Sequence, residues 1–272
     1  DAVVASRELD LTLTGRDCGE EERAPMCGVP FHAVDEYIGK LIEKGYKVAI
    51  CEQMEDPALA KGLVRRDVIR VITPGTLIES NLLPDQKNNF LCCLCMGEFA
   101  SGICFADIST AQVYATELTG DGMAARIKNE LAAYNPREIL CNLSRVHMGE
   151  VGEWLAARPE IMLSDAQAAR FDRETAEAAA REQFGDGLKP SFFDEDEMVR
   201  AVGAMVGYIR ENERRDISYI KNLNVYTDGQ YLEMDANTRR NLELTESMRT
   251  KKKTGSLLWV LDKTRTAPGA RM

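Results

Sequence analysis

The stretch Phe90-Leu-Cys-Cys-Leu-Cys-Met96 decides the fold that this sequence predicts. A continuous apolar run of this length is typical of a buried strand, with cysteine serving as a small apolar residue. Two more strand-like runs follow at 100–108 and 111–118, and a link as short as Gly97-Glu98 joins the first two runs. Links of this length make hairpins, so the three runs predict an antiparallel meander.

A helix, a strand, a second helix and a second strand follow this meander. The pattern places them from about residue 123 to Pro136, at 137–141, around 147–157 and at 160–163. The resulting order, βββαβα, is the pattern of the ribonuclease-H-like fold. Because one fold serves many functions, this order by itself predicts no nuclease chemistry.

The residues before the meander predict a small mixed α/β domain. Apolar residues recur at helical spacing from Val34 to Ile42, which indicates an amphipathic helix. The runs 46–51 and 66–73 then have strand character, and Thr73-Pro-Gly-Thr76 ends the second of them. The fold class of the chain is therefore α/β.

This interpretation divides the chain into four segments. Residues 1–80 form the small domain, residues 81–89 a polar linker, residues 90–214 the ribonuclease-H-like domain, and residues 215–272 the start of a mainly helical domain. The chain opens without an initiator Met and closes without a polar tail. We therefore expect it to be a piece of a larger protein.

The charge balance excludes one broad class of protein. Lys and Arg number 34 against 44 Asp and Glu, so the 272-residue chain has a net charge of −10 and no generic basic coat for nucleic acid. Any nucleic-acid contact must come from a local patch. With 44% hydrophobic residues the chain can build true cores, yet no apolar run approaches the roughly 20 residues of a membrane span.

The eight cysteines are irregularly spaced and do not suggest a disulfide framework. Cys92 and Cys95 form a C-x-x-C pair, but a zinc site needs further ligands, and the two histidines, His32 and His147, lie far away in the sequence. We interpret the thiols as core residues rather than metal ligands. Free thiols of this kind favour a reducing compartment, and we expect the cytoplasm.

Several motifs resemble those of the MutS family of DNA mismatch repair proteins. The motifs similar to its mismatch-recognition domain are PMCGVPFHAV at 25–34, VAICEQ at 48–53 and RVITPGT at 70–76. Asn135-Pro-Arg-Glu-Ile-Leu140 resembles a motif of its connector domain, and MDANTRRNLEL at 234–244 with GSLLWVLD at 255–262 resembles the start of its helical core, the lever. Their order and spacing match from one end of the chain to the other.

The resemblance implies a homodimer that kinks DNA at mispairs, uses ATP and Mg²⁺ to signal, and docks MutL on the connector. Two family motifs are absent from this sequence: Gly-x-Phe-Tyr-Glu, which supplies the aromatic wedge beside a mispaired base, and G-x-x-x-x-G-K-[ST], which cradles phosphates. We therefore expect this chain to be non-catalytic, to hold no cofactor, to contact no membrane, and to bind duplex DNA only through the sugar-phosphate backbone.

Basic residues on and beside one strand are the candidates for that DNA contact. They are Lys61, Arg65, Arg66 and Arg70, and guanidinium groups match phosphate oxygens. Strand alternation predicts that Arg66 and Arg70 share one face and that Arg65 lies on the other. The alternative is a set of salt bridges to the acidic residues nearby, which are Glu52, Glu55 and Asp56.

Two other basic features of the sequence are also considered as possible DNA contacts. His32 opens the first amphipathic helix and is a further DNA candidate, although a histidine at such a position more often satisfies local backbone groups. Arg249 and residues 251–253 form the densest basic run. A run of this kind is more typical of a solvated surface loop than of a DNA-facing patch.

Two hypotheses from other functional classes compete with this one. A metal-dependent nuclease of ribonuclease-H-like fold needs several converging carboxylates, and the three strands offer Asp107, Glu98 and Glu117. We interpret Asp107 instead as a hydrogen-bonding turn residue before Ser109. The other hypothesis is a protein-interaction module without affinity for DNA.

Overall fold

Two units, Asp1–Pro74 and Gly75–Met272, make up the chain in the computed structural model. The residues that the structure describes are 1–17, 19, 23–56, 62, 64–79, 82–83, 87–165, 167–227 and 234–271. The domain limits predicted at residues 80, 89 and 214 stay predictions.

In its described residues, the first unit contains two α-helices and two small antiparallel sheets. Its elements are α1 (Ala2–Leu9), β1 (Thr14–Arg16), β2 (Ala24–Met26), α2 (Val34–Glu43), β3 (Val48–Gln53) and β4 (Arg66–Ile72). Strand β1 pairs with β2, and β3 pairs with β4. Ile38 and Ile42 are buried one helical turn apart on α2, so the predicted amphipathic helix is confirmed.

A six-stranded sheet forms the centre of the second unit. Its strands are β5 (Phe90–Met96), β6 (Ala100–Asp107), β7 (Gln112–Thr119), β8 (Glu138–Cys141), β9 (Met162–Asp165) and β10 (Leu223–Val225). Their order across the sheet is β10-β7-β6-β5-β8-β9. Strands β5, β6 and β7 are antiparallel, β8 continues parallel to β5, β9 parallel to β8, and β10 parallel to β7. The predicted meander is confirmed.

Helices cover both faces of this sheet. The α-helices of the unit are α3 (Met123–Tyr134), α4 (Glu150–Ala156), α5 (Arg173–Phe184), α6 (Asp196–Glu213), α7 (Ala236–Asn241), α8 (Leu257–Leu261) and α9 (Ala267–Arg271). The even-numbered residues of β5 pack against α3 and α4, whereas the odd-numbered residues pack against α5 and α6. Because both faces are covered, every position of β5 can be apolar, which explains the uninterrupted run.

The order of elements from β5 to β9 is βββαβα followed by a strand, so the ribonuclease-H-like arrangement is confirmed. Strand β9 begins two residues later than predicted because the N–H of Ile161 donates to the carbonyl of Arg158 and closes a turn there. Among the helices that the structure describes, none combines the length and the apolar composition needed to cross a membrane.

The sheet cysteines are core residues, as their sequence context predicts. They are Cys92, Cys93, Cys95, Cys104 and Cys141, and all five are buried free thiols. Burial raises the pKa of the Cys92 and Cys93 thiols well above the ordinary value, and raises that of Cys141 to about 11. Thiols in this state are protonated and behave as small apolar groups.

Candidate nucleic-acid interface

Two of the predicted DNA-contact residues lie exposed at the end of the β3–β4 ribbon where the chain passes from β3 to β4. Arg66 is the first residue of β4 and stands opposite Gln53, and Arg65 precedes it. The backbone N–H of Arg65 donates to Oε1 of Glu55 at 2.6 Å, and the N–H of Met54 donates to the Arg65 carbonyl at 2.9 Å. These bonds fix the backbone at this end of the ribbon.

The predicted salt bridges to Glu52, Glu55 and Asp56 do not use these two arginines. Within the ranges that the structure describes, neither the Arg65 nor the Arg66 side chain forms an ion pair, and both residues are exposed. An exposed, uncompensated guanidinium pair is available to an external anion such as a phosphate group.

The prediction that Arg66 and Arg70 share a face is wrong. The register shifts between Ile50 and Cys51, so that Cys51 faces Val68 while Ile50 faces Arg70, and Ile69 is the extra residue of a bulge. A bulge inverts the alternation of the residues beyond it. Arg70 therefore lies on the face of Ile72 and is only 3% exposed, which withdraws it from the candidate interface.

The remaining two candidates are placed differently. His32 lies exposed in the 3-10 turn Phe31–Ala33 that leads into α2, and Phe31 beside it is 90% exposed. Lys61 lies outside the described residues, so its predicted contact stays a prediction. Of the predicted contact residues, Arg65 and Arg66 are exposed next to each other, and His32 is exposed on another element of the same unit.

Sequence reasoning missed the β1–β2 hairpin, which exposes two more basic residues. Arg16 ends β1 opposite Ala24, and Arg23 immediately precedes β2. Each strand has three residues, too few to show the period-two alternation by which strands are recognised. The available signal was the pair of arginines on either side of a polar, Glu-rich stretch of sequence.

The basic run near the end of the chain forms a surface turn, as predicted. Arg249, Lys251 and Lys252 are exposed, and the N–H of Ser247 donates to the Lys252 carbonyl at 2.9 Å. Lys253 instead pairs with Asp262, and its hydrogen bond lowers the pKa of that carboxyl.

The carboxylates proposed for a nuclease do not converge. Asp107 is 1% exposed, and its two oxygens accept from Ser109, Asn88 and Asn89. Glu98 is exposed in the turn at the opposite end of β6. Within the described ranges, no group of three or more His, Cys, Asp or Glu side chains could hold a metal ion. The nuclease alternative is not supported, and Asp107 is the turn residue that we expected.

Glu117 of β7 lies against the start of α6 rather than near Asp107. Its Oε2 accepts from the N–H of Met198 at 2.9 Å. Burial, together with the hydrogen bond that the protonated Glu117 carboxyl donates to the neighbouring Glu195 carboxylate, raises the pKa of Glu117 to about 7. The protonated form is therefore the form that this site stabilises.

The Glu117→Gln variant should lose part of the pH dependence of folding. The pKa of Glu117 is raised above 4.5. The stability that the protonated group contributes is therefore fully present below pH 4.5 and is lost as the pH rises through 7. We expect the wild-type chain to lose about 1–2 kcal/mol between pH 5 and pH 8 from this group, since partial exposure reduces the effect, and the variant to lose none of it.

Urea unfolding at the two pH values measures this difference, with the exposed Glu98→Gln as the control variant. An identical pH response of the wild-type chain and Glu117→Gln would show that the raised pKa of Glu117 does not contribute to folding.

A groove of about 1250 Å³ lies in the second unit, bordered by β7, β10 and α3. Tyr114, Tyr134 and Tyr226 line it, and the Tyr226 hydroxyl donates to Oε2 of Glu130 at 2.6 Å. Burial raises the pKa of Tyr134 to about 12. Sequence reasoning missed this groove because Tyr226, which follows β10, lies far along the chain from Tyr114 of β7 and Tyr134 of α3.

Comparison with protein-family models matches three successive parts of the chain to domains of one family. A model of MutS domain I matches residues 1–81, one of MutS domain II matches residues 89–221, and one of MutS domain III matches residues 237–272. The three matches occur in the order in which the sequence motifs occur.

Individual relatives agree with the family models. The chain is 47% identical over 272 residues to the DNA mismatch repair protein MutS of Acetivibrio thermocellus, covering 100% of this chain and 31% of the relative. The proteins of the same description from Alkaliphilus oremlandii and Lachnoclostridium phytofermentans are 45% and 46% identical over 278 residues, covering all of this chain and 31% and 29% of the relatives. The chain thus spans about a third of the length of the curated relatives that it matches.

Proposed function

Because this chain belongs to the MutS family of DNA mismatch repair proteins, we propose that its first unit contacts the backbone of duplex DNA through Arg65 and Arg66. The observation that carries this proposal is the exposed pair of guanidinium groups at the fixed end of the β3–β4 ribbon. Contacts of this kind position a protein on DNA without reading the sequence.

The expected affinity is low for an electrostatic reason. The net charge of −10 repels a polyanion, and two arginines neutralise few phosphates. We therefore expect weak binding that decreases only moderately with salt and does not distinguish matched from mispaired duplexes. Recognition of the mispair itself is proposed for the whole protein and not for this chain. The reason is that the Gly-x-Phe-Tyr-Glu motif does not occur in this sequence.

Replacing both arginines tests this proposal. The Arg65→Ala/Arg66→Ala variant should reduce the slope of log affinity against log salt by about 1.8, because each phosphate contact contributes about 0.9 on duplex DNA. Arg215→Ala is the matched control, since Arg215 is an exposed arginine of the second unit. Fluorescence anisotropy of a labelled duplex at several salt concentrations gives the slopes.

An unchanged slope in the double variant would reject Arg65 and Arg66 as the contact, and a loss half as large in Arg215→Ala, which removes one charge instead of two, would show that only net charge matters. Loss of binding in the double variant alone would also argue against an interaction module without DNA affinity.

We propose that the second unit is a non-catalytic connector. Its sheet is closed on both faces by helices, which makes it a rigid body suited to passing rotations between the parts it joins. For the whole protein we propose the family's further properties: ATP and Mg²⁺ bound elsewhere in the chain, a homodimer, and MutL docked on the connector. The buried free thiols support a cytoplasmic location.

A further inference from the structure

Two of the motifs that carry the family resemblance meet in the second unit, where the chain enters it. Gly75 belongs to Thr73-Pro-Gly-Thr76, and Glu138 belongs to Asn135-Pro-Arg-Glu-Ile-Leu140. The N–H of Gly75 donates to Oε2 of Glu138 at 2.9 Å. We propose that Glu138 is a positioning residue that clamps the entry segment, residues 75–78, to the connector sheet.

The carboxylate of Glu138 joins several elements at one point. Glu138 is the first residue of β8, pairs with Leu91 of β5 and has no exposed surface. Its Oε1 accepts from the Tyr208 hydroxyl of α6 at 2.5 Å and from the Ser164 hydroxyl of β9. A buried carboxylate needs such donors to offset its lost hydration. The hydrogen bond from the Gly75 N–H therefore stabilises the buried carboxylate, and the same bond holds Gly75 at the sheet.

The entry segment passes so close to the sheet that its first residue has room for no side chain. A Cβ atom on Gly75 would lie 2.8 Å from Cδ1 of Leu91 and 2.9 Å from Cβ of Glu138. A second attachment follows, because Nδ2 of Asn89 donates to the Leu77 carbonyl at 3.3 Å. The close approach of Gly75 to the sheet and the bond from Asn89 to Leu77 do not depend on the Gly75 hydrogen bond. Both observations indicate that residues 75–78 are held against the sheet.

Clamping the entry segment shortens the tether, by which we mean the freely rotating part of the chain that joins the two units. Gly75 directly follows Pro74, the last residue of the first unit. Each residue released from the sheet adds rotatable bonds to the tether and widens the range over which the first unit can move. This inference concerns the tether alone, so it can be tested without DNA and separately from the proposed function.

Amide exchange and inter-unit distances in the intact chain test the clamp. In Glu138→Ala, which removes both acceptor oxygens, we expect the Gly75 N–H to exchange at least about tenfold faster while the amide of Leu94 is unchanged. Labels introduced at Lys40 and Glu153 should give a broader distance distribution. Glu130→Ala is the matched control, because it removes another carboxylate that accepts from a tyrosine hydroxyl in the same unit.

Two further variants keep the test decisive. Val206→Ala leaves a cavity in the core and should lower stability without broadening the distances between the labels. This variant therefore separates the effect of the clamp from general destabilisation. If Glu138→Ala does not fold, Tyr208→Phe removes one donor and keeps the carboxylate, and a smaller acceleration at Gly75 is then expected. Unchanged Gly75 exchange in the folded variant, or distances broadened equally by Glu130→Ala or Val206→Ala, would overturn the proposal.

Discussion

Replacing Gly203 with alanine is expected to destabilise the second unit by about 3 kcal/mol, the upper range for overpacking. Gly203 lies on α6 where this helix meets α5, and a Cβ atom there would be 2.2 Å from both Cα and the carbonyl oxygen of Ala176. Backbone atoms cannot rotate away as a side chain can, so the two helices must separate. Urea unfolding followed by circular dichroism measures the loss.

Gly207 supplies the control for this prediction on the same helix, one turn further along. A Cβ atom at Gly207 would meet nothing within 4 Å, so alanine adds only its higher helix propensity. Gly207→Ala should therefore raise stability by about 0.5–1 kcal/mol. Equal destabilisation by the two variants, or none by Gly203→Ala, would contradict the close packing of α5 on α6.

The Asp107→Asn variant is expected to lose about 2–3 kcal/mol of stability, the cost of leaving buried donors unpaired. One oxygen of Asp107 accepts from the N–H and hydroxyl of Ser109, and the other accepts from Nδ2 of Asn88 and the N–H of Asn89. In either orientation, the amide nitrogen of asparagine faces two donors. Thermal unfolding shows this loss directly.

A metal-binding carboxylate would behave in the opposite way. Neutralising one member of a repulsive acidic cluster stabilises the metal-free protein, and Mg²⁺ or Mn²⁺ would stabilise the wild-type chain by binding. Glu98→Gln, at the exposed turn, should change stability by no more than about 0.5 kcal/mol. A rise in Tm for Asp107→Asn, with duplex cleavage that the variant loses, would restore the nuclease hypothesis.

Much of the second unit could be predicted because its local signals agree with its packing. The apolar run of β5 is unbroken since both of its faces are covered, and the links between β5, β6 and β7 leave no alternative to hairpins. The cysteines fit this picture because burial keeps their thiols protonated. Each of these signals lies within a few residues of the feature that it predicts.

The candidate site was harder to predict because it depends on pairing rather than on local pattern. The bulge at Ile69 moves Arg70 to the buried face, and nothing in the strand's own residues marks that extra position. The Glu138–Gly75 bond likewise joins residues 63 apart, and it exists only once the sheet has formed. Long-range pairing of this kind cannot be derived from spacing in a single sequence.

Titrating a fluorescent duplex with the intact wild-type chain over a range of salt concentrations is the sharpest trial of DNA contact by the first unit. Two arginine–phosphate contacts predict a log–log slope near −1.8, since each contributes about 0.9, with equal affinity for matched and mispaired duplexes. Affinity independent of salt, or a clear preference for the mispaired duplex, would contradict contact through Arg65 and Arg66 to the backbone alone.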